Sequence, residues 1–226
     1  MYISGKNSCL EFLKNGFKIN EVLISDYFSD QFIISELKKR NIKVKIVPKM
    51  ELDKLVSKNH QGIILSIDNY LYCELEEIVD ANLVVILDHI EDPHNLGAII
   101  RTCVAFSVDG IIIPKDRSVQ VNETVVKTSA GTVFQAKISQ VTNLVQTINK
   151  LKKENFWIIG TDMDGTDLSE IDFSGKKALI IGNEGKGLSR LVKDNCDYIA
   201  SIPIKTESLN ASVAAGIFIY EARKGG

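Results

Sequence analysis

The sequence predicts an α/β protein whose larger C-terminal domain is a parallel sheet covered by helices, preceded by a smaller α/β domain. Three observations carry this. The runs LVVILD (83–88), GIIIP (110–114), FWIIGTD (156–162) and ALIIG (178–182) are apolar and β-branched without alternation. Strands buried on both faces of a parallel sheet read this way. Helical stretches at 96–107, 121–130, 141–154, 187–194 and 209–223 lie between or after those runs, and alternating strand and helix implies a sheet covered on both sides. Before Leu83 the elements are shorter and more polar, which marks a separate unit.

In that first unit a helix over 6–15 ends at Gly16, INEVLIS (19–25) reads as a strand, and 29–41 is helical by the spacing of Phe32, Ile33 and Leu37. IKVKIV (42–47) alternates, a short helix follows Pro48, and GIILSI (62–67) closes the unit. Residues 69–81 are acidic without a clear period. The expected division is a domain over 1–68, a linker over 69–81 and a domain over 82–226.

With 226 residues, 45% hydrophobic and 25% charged, the chain can bury a substantial core, which excludes a disordered tail, a fibre and a disulfide-stapled miniprotein. Arg101 and Asp109 interrupt the best apolar stretch, so no membrane helix is expected, and the N-terminus lacks the basic-then-apolar order of a signal peptide. A soluble, cytoplasmic protein is expected. Cys9, Cys73, Cys103 and Cys196 form no close pair, and His60, His89 and His94 lack HExxH spacing, so neither disulfide nor metal is expected. Net charge is −2, yet residues 38–58 hold eight basic residues, Lys38, Lys39, Arg40 and Lys43 among them, against two acidic ones. This is either a phosphate-binding patch or a solvated lysine-rich face.

Three clusters are candidates for chemistry. In LDHIEDPHNLGAIIRTC (87–103), a strand-to-helix junction of the kind that binds ligands in open sheets, Asn95 is placed as a helix N-cap. Leu96, Ile99, Ile100, Cys103 and Val104 form the apolar stripe behind it, and Arg101 projects about 130° away from that stripe at 100° per residue. ALIIGNEGKGLSRL (178–191) places Gly182, Gly185 and Gly187 after a buried strand. The spacing is neither GxGxxG nor GxxxxGK[ST], and Glu184 within it would repel phosphate, so a hydroxyl or a cation is its expected partner. SIPIKTESLNASVAAGIFIYEARK (201–224) holds an uncharged helix from Leu209, capped by Ser208 or a neighbour, with small residues allowing close packing. DMDGTDLSEID (162–172) reads as a turn region, because its glycine is out of place for an EF-hand loop. No GxSxG or Cys/His nucleophile pattern occurs.

Together and in this order, DPHNLGAIIRT, IIGNEGKGL and SIPIKTESLNASVAAGIFIYEA resemble the three signature motifs of the SpoU family of RNA 2′-O-ribose methyltransferases, within the SPOUT superfamily. The first unit, beginning ISGKNSCLEFL, resembles the small L30e-like substrate-binding domain of the bacterial 23S rRNA guanosine 2′-O-methyltransferase. The likeness covers nearly the whole chain. Ile204 stands where the third motif commonly has methionine, a volume-conserving change.

The resemblance implies S-adenosylmethionine as methyl donor, a homodimer, a C-terminal trefoil knot, and RNA, rather than DNA or membrane, as partner. Ribosomal 23S RNA is the implied substrate and tRNA the alternative, with a non-catalytic RNA-binding factor behind both. It implies cofactor contacts at Gly182, Ile202, Leu209, Asn183, Gly187 and Gly131 and catalytic roles for Asn95, Arg101, Glu184, Ser208 and Asn210. In this frame the basic patch read from charge at Lys38, Lys39, Arg40 and Lys43 would add sequence-independent RNA affinity. Two roles for Arg101 stay open: anchor of the target phosphate, or general base. The anchor is favoured, because a guanidinium keeps its proton to pH values above about 12.

Overall fold

The computed structural model describes residues 1–56, 59–205 and 208–224. Lys58 of the basic segment, and Thr206 and Glu207 of the third motif, lie outside the described residues. The chain divides into two compact units, Met1–Leu71 with Val121–Gln135, and Tyr72–Gln120 with Ala136–Gly226.

The first unit runs β1 (Tyr2–Ser4), α1 (Lys6–Lys14), β2 (Glu21–Ser25), α2 (Gln31–Lys39), β3 (Val44–Val47), α3 (Lys49–Leu55) and β4 (Ile63–Ser66). Its sheet has the order β1-β4-β2-β3, with β3 parallel to β2 and the other pairs antiparallel. Gly16 follows α1 with φ of 72°, as its place after the helix predicts. Leu23, Val47, Leu52 and Ile64 pack together on one side of the sheet. Residues 121–135 join this unit through side chains. The Glu123 carboxylate accepts from the Tyr2 amide at 2.9 Å, and Phe134 meets the Phe12 ring edge-on at 4.8 Å.

The second unit begins with β5 (Leu83–Leu87), α4 (Pro93–Ala105) and β6 (Gly110–Pro114). After α5 (Glu123–Thr128), which belongs to the first unit, come β7 (Ile138–Val141), α6 (Leu144–Lys153), β8 (Trp157–Asp167) and β9 (Lys177–Ile181). The chain ends with α7 (Arg190–Lys193), β10 (Tyr198–Ser201) and α8 (Ala211–Lys224). Six strands in the order β10-β8-β9-β5-β6-β7 are all parallel. Val84, Ile86, Ile112, Ile158, Ala178 and Ile180 fill the core and are fully buried, as their uninterrupted apolar runs predict. Helix α8 packs on α4 and β9.

Three local readings are corrected. Asn95 is not an N-cap: α4 begins two residues earlier, at Pro93, and Asp92 caps it by accepting from the His94 amide at 2.8 Å. Proline suits a first helical position because its fixed φ is already helical and the missing N–H would have had no partner there. The segment at 162–172 is not a simple turn. Strand β8 runs on to Asp167 and meets β10 on both sides of a large irregularity, Ile159 and Gly160 facing Tyr198 and Ile199, then Thr166 and Asp167 facing Ala200 and Ser201. Five residues of β8, Thr161–Gly165, therefore have no opposite number in that pairing. A side chain at Gly165 would come within 2.6 Å of the Ile199 carbonyl oxygen, so only glycine lets the two backbones meet there. Strands β7 and β10, four residues each, escaped the sequence reading because so short a run carries too little periodicity.

All four cysteines are free thiols. Burial pushes the Cys196 thiol up to about 12 and holds Cys9, Cys103 and Cys73 above the ordinary thiol range. A raised value keeps the thiol protonated and unreactive near neutrality. Native protein at pH 8 should react with a thiol-specific disulfide reagent far more slowly than protein in denaturant, where all four thiols should react. One thiol reacting at the unfolded rate in the native state would contradict this. In the core, Ile180→Ala should lower the urea-unfolding free energy of the second unit by about 2–5 kcal/mol.

Candidate functional site

Parallel strands present all their C-terminal ends along one edge, and the segments leaving β5, β8 and β9 there lie side by side because those strands are neighbours. At the end of β5, Asp88 is buried and ties two of these segments together. Its Oδ2 accepts from the Ser189 amide at 2.6 Å, and its Oδ1 lies 2.5 Å from His89 Nδ1. A carboxylate can only accept, so the Nδ1 proton of His89 points at it. His89 sits at φ of 60°, and its carbonyl accepts from Asn183 Nδ2 at 2.8 Å. Asp88 and His89 thus hold the segment after β5 against the one after β9.

The glycine segment after β9 is largely self-tied. Asn183 and Gly187 exchange backbone hydrogen bonds of 3.0 and 2.9 Å, and Asn183 Oδ1 accepts from the amides of Gly185 and Lys186. Gly182 is required by a close approach, since a Cβ there would lie 2.5 Å from the Gly187 carbonyl carbon. This fixes where Glu184 stands. The carboxylate accepts from Asn95 Nδ2 at 2.7 Å, and Asn95 Oδ1 in turn accepts from Asn210 Nδ2 at 2.9 Å. Asn210 Oδ1 accepts from the amide and hydroxyl of Ser212 in the first turn of α8, so Asn210 is the neighbour of Ser208 that caps the helix. One buried side chain, Asn95, therefore joins all three motif clusters.

Beside this bridge opens a cavity of about 410 Å³. Its walls come from Thr161–Met163 on β8, from Ile181–Gly187, from Ile202, Ile204, Ser208 and Leu209, and from Ala211, Ala214 and Phe218 of α8. The cavity brings together Gly182, Asn183, Gly187, Ile202 and Leu209, with Glu184 and Ser208 in the same wall. Asn95 and Asn210 reach it through Glu184. Gly131 belongs to the other compact unit, where it packs on Ser8 and Glu11. Arg101 is exposed, six residues beyond Asn95 on α4 and so about 120° around the helix, and no hydrogen bond or ion pair involves it among the described residues. In the first unit Lys38, Lys39, Arg40 and Lys43 are all exposed; Lys39 forms an ion pair with Glu36 at 2.8 Å, and Arg40 adds to the field on that carboxylate.

Asp88, His89 and Asp162 went unrecognised as site residues in the sequence. A charged residue directly after a fully apolar strand was the available signal for Asp88 and, in GTD, for Asp162. Among the described residues no group of three His, Cys, Asp or Glu side chains could hold a metal ion, and no helix is long and apolar enough to cross a membrane.

Residues 82–220 match the SpoU rRNA methylase family, and residues 2–73 match the RNA 2′-O-ribose methyltransferase substrate-binding domain. The chain belongs to the SpoU rRNA methylase family. A Bacillus subtilis relative, YacO, named as a TrmH family tRNA/rRNA methyltransferase, is 39% identical over 97% of this chain and 94% of its own. Among solved structures, the SpoU methyltransferase AviRb of Streptomyces viridochromogenes, crystallised with AdoMet, superposes with a TM-score of 0.87 at 23% identity, over 99% of this chain and 89% of its own. An rRNA methyltransferase of Sinorhizobium meliloti gives 0.84 at 26% identity, over 99% of this chain and 86% of its own. In this SpoU methylase, then, the motif residues stand on elements of a shared fold.

Asp88→Ala should leave the Ser189 amide and the His89 ring without their acceptor and lower the stability of the second unit by about 1–3 kcal/mol, read by urea unfolding. His89→Ala, which removes a partly exposed ring and leaves the Ser189 bond intact, should lower it by less. Equal losses would show that the imidazole, rather than the amide, is what Asp88 serves.

Proposed function

We propose that this SpoU methylase transfers a methyl group from S-adenosylmethionine to a ribose 2′-hydroxyl, that of a guanosine in 23S rRNA. The single observation that carries the reading is the Glu184–Asn95–Asn210 bridge, whose Glu184 lines the cavity. The cavity's residues fit the donor. A Cβ at Gly187 would meet nothing within 4 Å, so main chain is open to a flat ring there, Ile202, Leu209 and Phe218 supply apolar wall, and Glu184 supplies negative charge for a cation. Gly182, Asn183, Gly187, Ile202 and Leu209 would hold it, and when bound it supplies an electrophilic methyl on a positively charged sulfur.

The remaining work is positioning and proton removal. Glu184 has no cationic partner among the described residues, so its charge is free to face a cation or accept from a ribose hydroxyl. Asn95 and Asn210 hold it in place, with Ser208 in the same wall. Arg101, exposed and unpaired, is available to grip a phosphate of the target nucleotide and orient its ribose, so that the hydroxyl proton leaves to that phosphate or to water. The distance around α4 from Asn95 to Arg101 fits a site completed by a second copy, and half-exposed Val213 and Tyr220 on α8, which packs on α4, fit a homodimer face.

The rRNA reading leans on the N-terminal substrate-binding domain, which is present together with the methylase domain in an rRNA methyltransferase matched over 99% of the chain, and tRNA is the alternative. We assign residues 1–68 to RNA binding, 69–81 to the connection and 82–226 to catalysis, with Lys38, Lys39, Arg40 and Lys43 adding sequence-independent affinity in the cytoplasm.

Labelled methyl from S-adenosylmethionine should enter unmodified rRNA, and Arg101→Ala should slow this on the order of a hundredfold. Label entering only tRNA would overturn the substrate, and full activity in Arg101→Ala would overturn its role. Replacing Lys38, Lys39 and Lys43 with glutamine should reduce the slope of log affinity against log salt by about 2, at about 0.7 per lost phosphate contact on single strands. An unchanged slope would clear those lysines of RNA contact.

A further inference from the structure

The cavity's side chains can be taken one by one by their spare hydrogen-bonding capacity. The Thr161 hydroxyl donates to the Ile180 carbonyl at 3.0 Å. Asn183 uses its Oδ1 on two amides and its Nδ2 on His89. Lys186 is a donor, and Met163, Ile202, Ile204, Leu209 and Phe218 are apolar or nearly so. Ser208 adds one neutral hydroxyl, and two side chains remain as anionic acceptors, the carboxylates of Glu184 and Asp162.

These two carboxylates differ in what neutralises them. Glu184 is held by a neutral amide, with no ammonium or guanidinium paired to it among the described residues. Asp162 is paired through Oδ2 with Lys193 of α7 at 2.8 Å, its Oδ1 accepts from the Asp164 amide at a long 3.4 Å, and the Met163 amide also faces the carboxylate. Burial would raise the Asp162 carboxyl, but the Lys193 ammonium and the amides of Asp164 and Met163 outweigh it and hold the group below the usual carboxylate range. The same pair holds Lys193 above its ordinary value. Both groups stay charged around neutrality and cancel each other's net charge. A carboxylate whose charge is balanced is a poor partner for a cation yet still accepts hydrogen bonds from hydroxyls.

We propose that Asp162, held by Lys193, is the acceptor for the ribose hydroxyls of the methyl donor, while Glu184 faces the donor's cationic end. Its setting fits the task. The five-residue extrusion of β8 lifts Asp162 out of the sheet into the cavity wall, and the glycine-permitted contact at Gly165 brings β8 back to β10 immediately afterwards. This assignment rests on S-adenosylmethionine being the donor, so the test separates the two questions.

Calorimetric titration of the full chain would use three probes: S-adenosylhomocysteine, methylthioadenosine, which lacks the amino-acid group, and the 2′,3′-dideoxy form of methylthioadenosine. The unaltered protein should bind the first two and lose about tenfold on removal of the hydroxyls. Asp162→Ala should weaken both hydroxyl-bearing probes by the same factor and bind methylthioadenosine and its dideoxy form alike. Asp162→Asn, nearly isosteric, should keep the fold and part of the discrimination, with circular dichroism as the check on both variants. If Asp162→Ala weakened S-adenosylhomocysteine alone, the carboxylate would serve the ammonium group and the proposal would fall. It would fall equally if the variant still distinguished the dideoxy probe as the unaltered protein does. If the unaltered protein bound none of the probes, the donor itself would be wrong, and the assignment would fall with it.

Discussion

A buried primary amide has to find partners for its N–H groups and its carbonyl oxygen, and Asn95 finds them on two segments about 90 and 115 residues away in sequence. The rest of the site follows from that need. Glu184 is fixed by the donor it is given, and Asn210 by the acceptor, which places the start of α8 against α4. Losing either partner would leave a polar group unpaired in the interior, at about 1–3 kcal/mol. The amide can play this part only because α4 begins at Pro93 under the Asp92 cap, which puts Asn95 on the buried side of the first turn.

The all-parallel sheet sets the stage for this bridge. Neighbouring strands β8, β9 and β5 release their chains at one edge, so segments far apart in sequence are neighbours in space. Each is held by a different device: Asp88 for the end of β5, the Asn183–Gly187 closure for the end of β9, and the extrusion opposite β10 for β8. The resulting cavity carries its two carboxylates in unlike electrostatic states, one balanced by a lysine and one not. That asymmetry suits a ligand with a cationic end and an uncharged polar end.

The first unit meets a different demand. A polyanionic partner is drawn by exposed cations, and Lys38, Arg40 and Lys43 are exposed in a chain whose net charge is −2. Val44 and Ile46 are exposed on the same edge strand, β3, giving apolar surface beside the charge. The long-range pairings of Glu123 with Tyr2 and Phe134 with Phe12 draw residues 121–135 into this unit, although in sequence they fall between two strands of the other sheet.

Much of the fold was legible in the residues, because burial on both faces of a strand leaves an uninterrupted apolar run, and its shortness and β-branched content set it apart from a buried helix. Leu83–Leu87, Gly110–Pro114 and Lys177–Ile181 were readable for this reason. The motif residues Asn95, Glu184 and Asn210 were legible as a set only through the resemblance of their three segments, in order, to the SpoU motifs, since each cluster alone fits an ordinary capped helix or tight turn. Short strands such as Ile138–Val141 and Tyr198–Ser201 were not, because four residues hold too little pattern. The sequence by itself determined most element types, which depend on local composition and spacing, and its resemblance to the SpoU motifs marked the segments that carry the chemistry, whereas the place of residues 121–135 with the first unit was not legible in it. Only the tertiary structure decided that Asn95 bridges instead of capping, that Asp88 locks two segments together, and that Asp162 is lifted into the cavity and balanced by Lys193. Those outcomes depend on which distant groups a buried polar atom meets, and no local pattern encodes that.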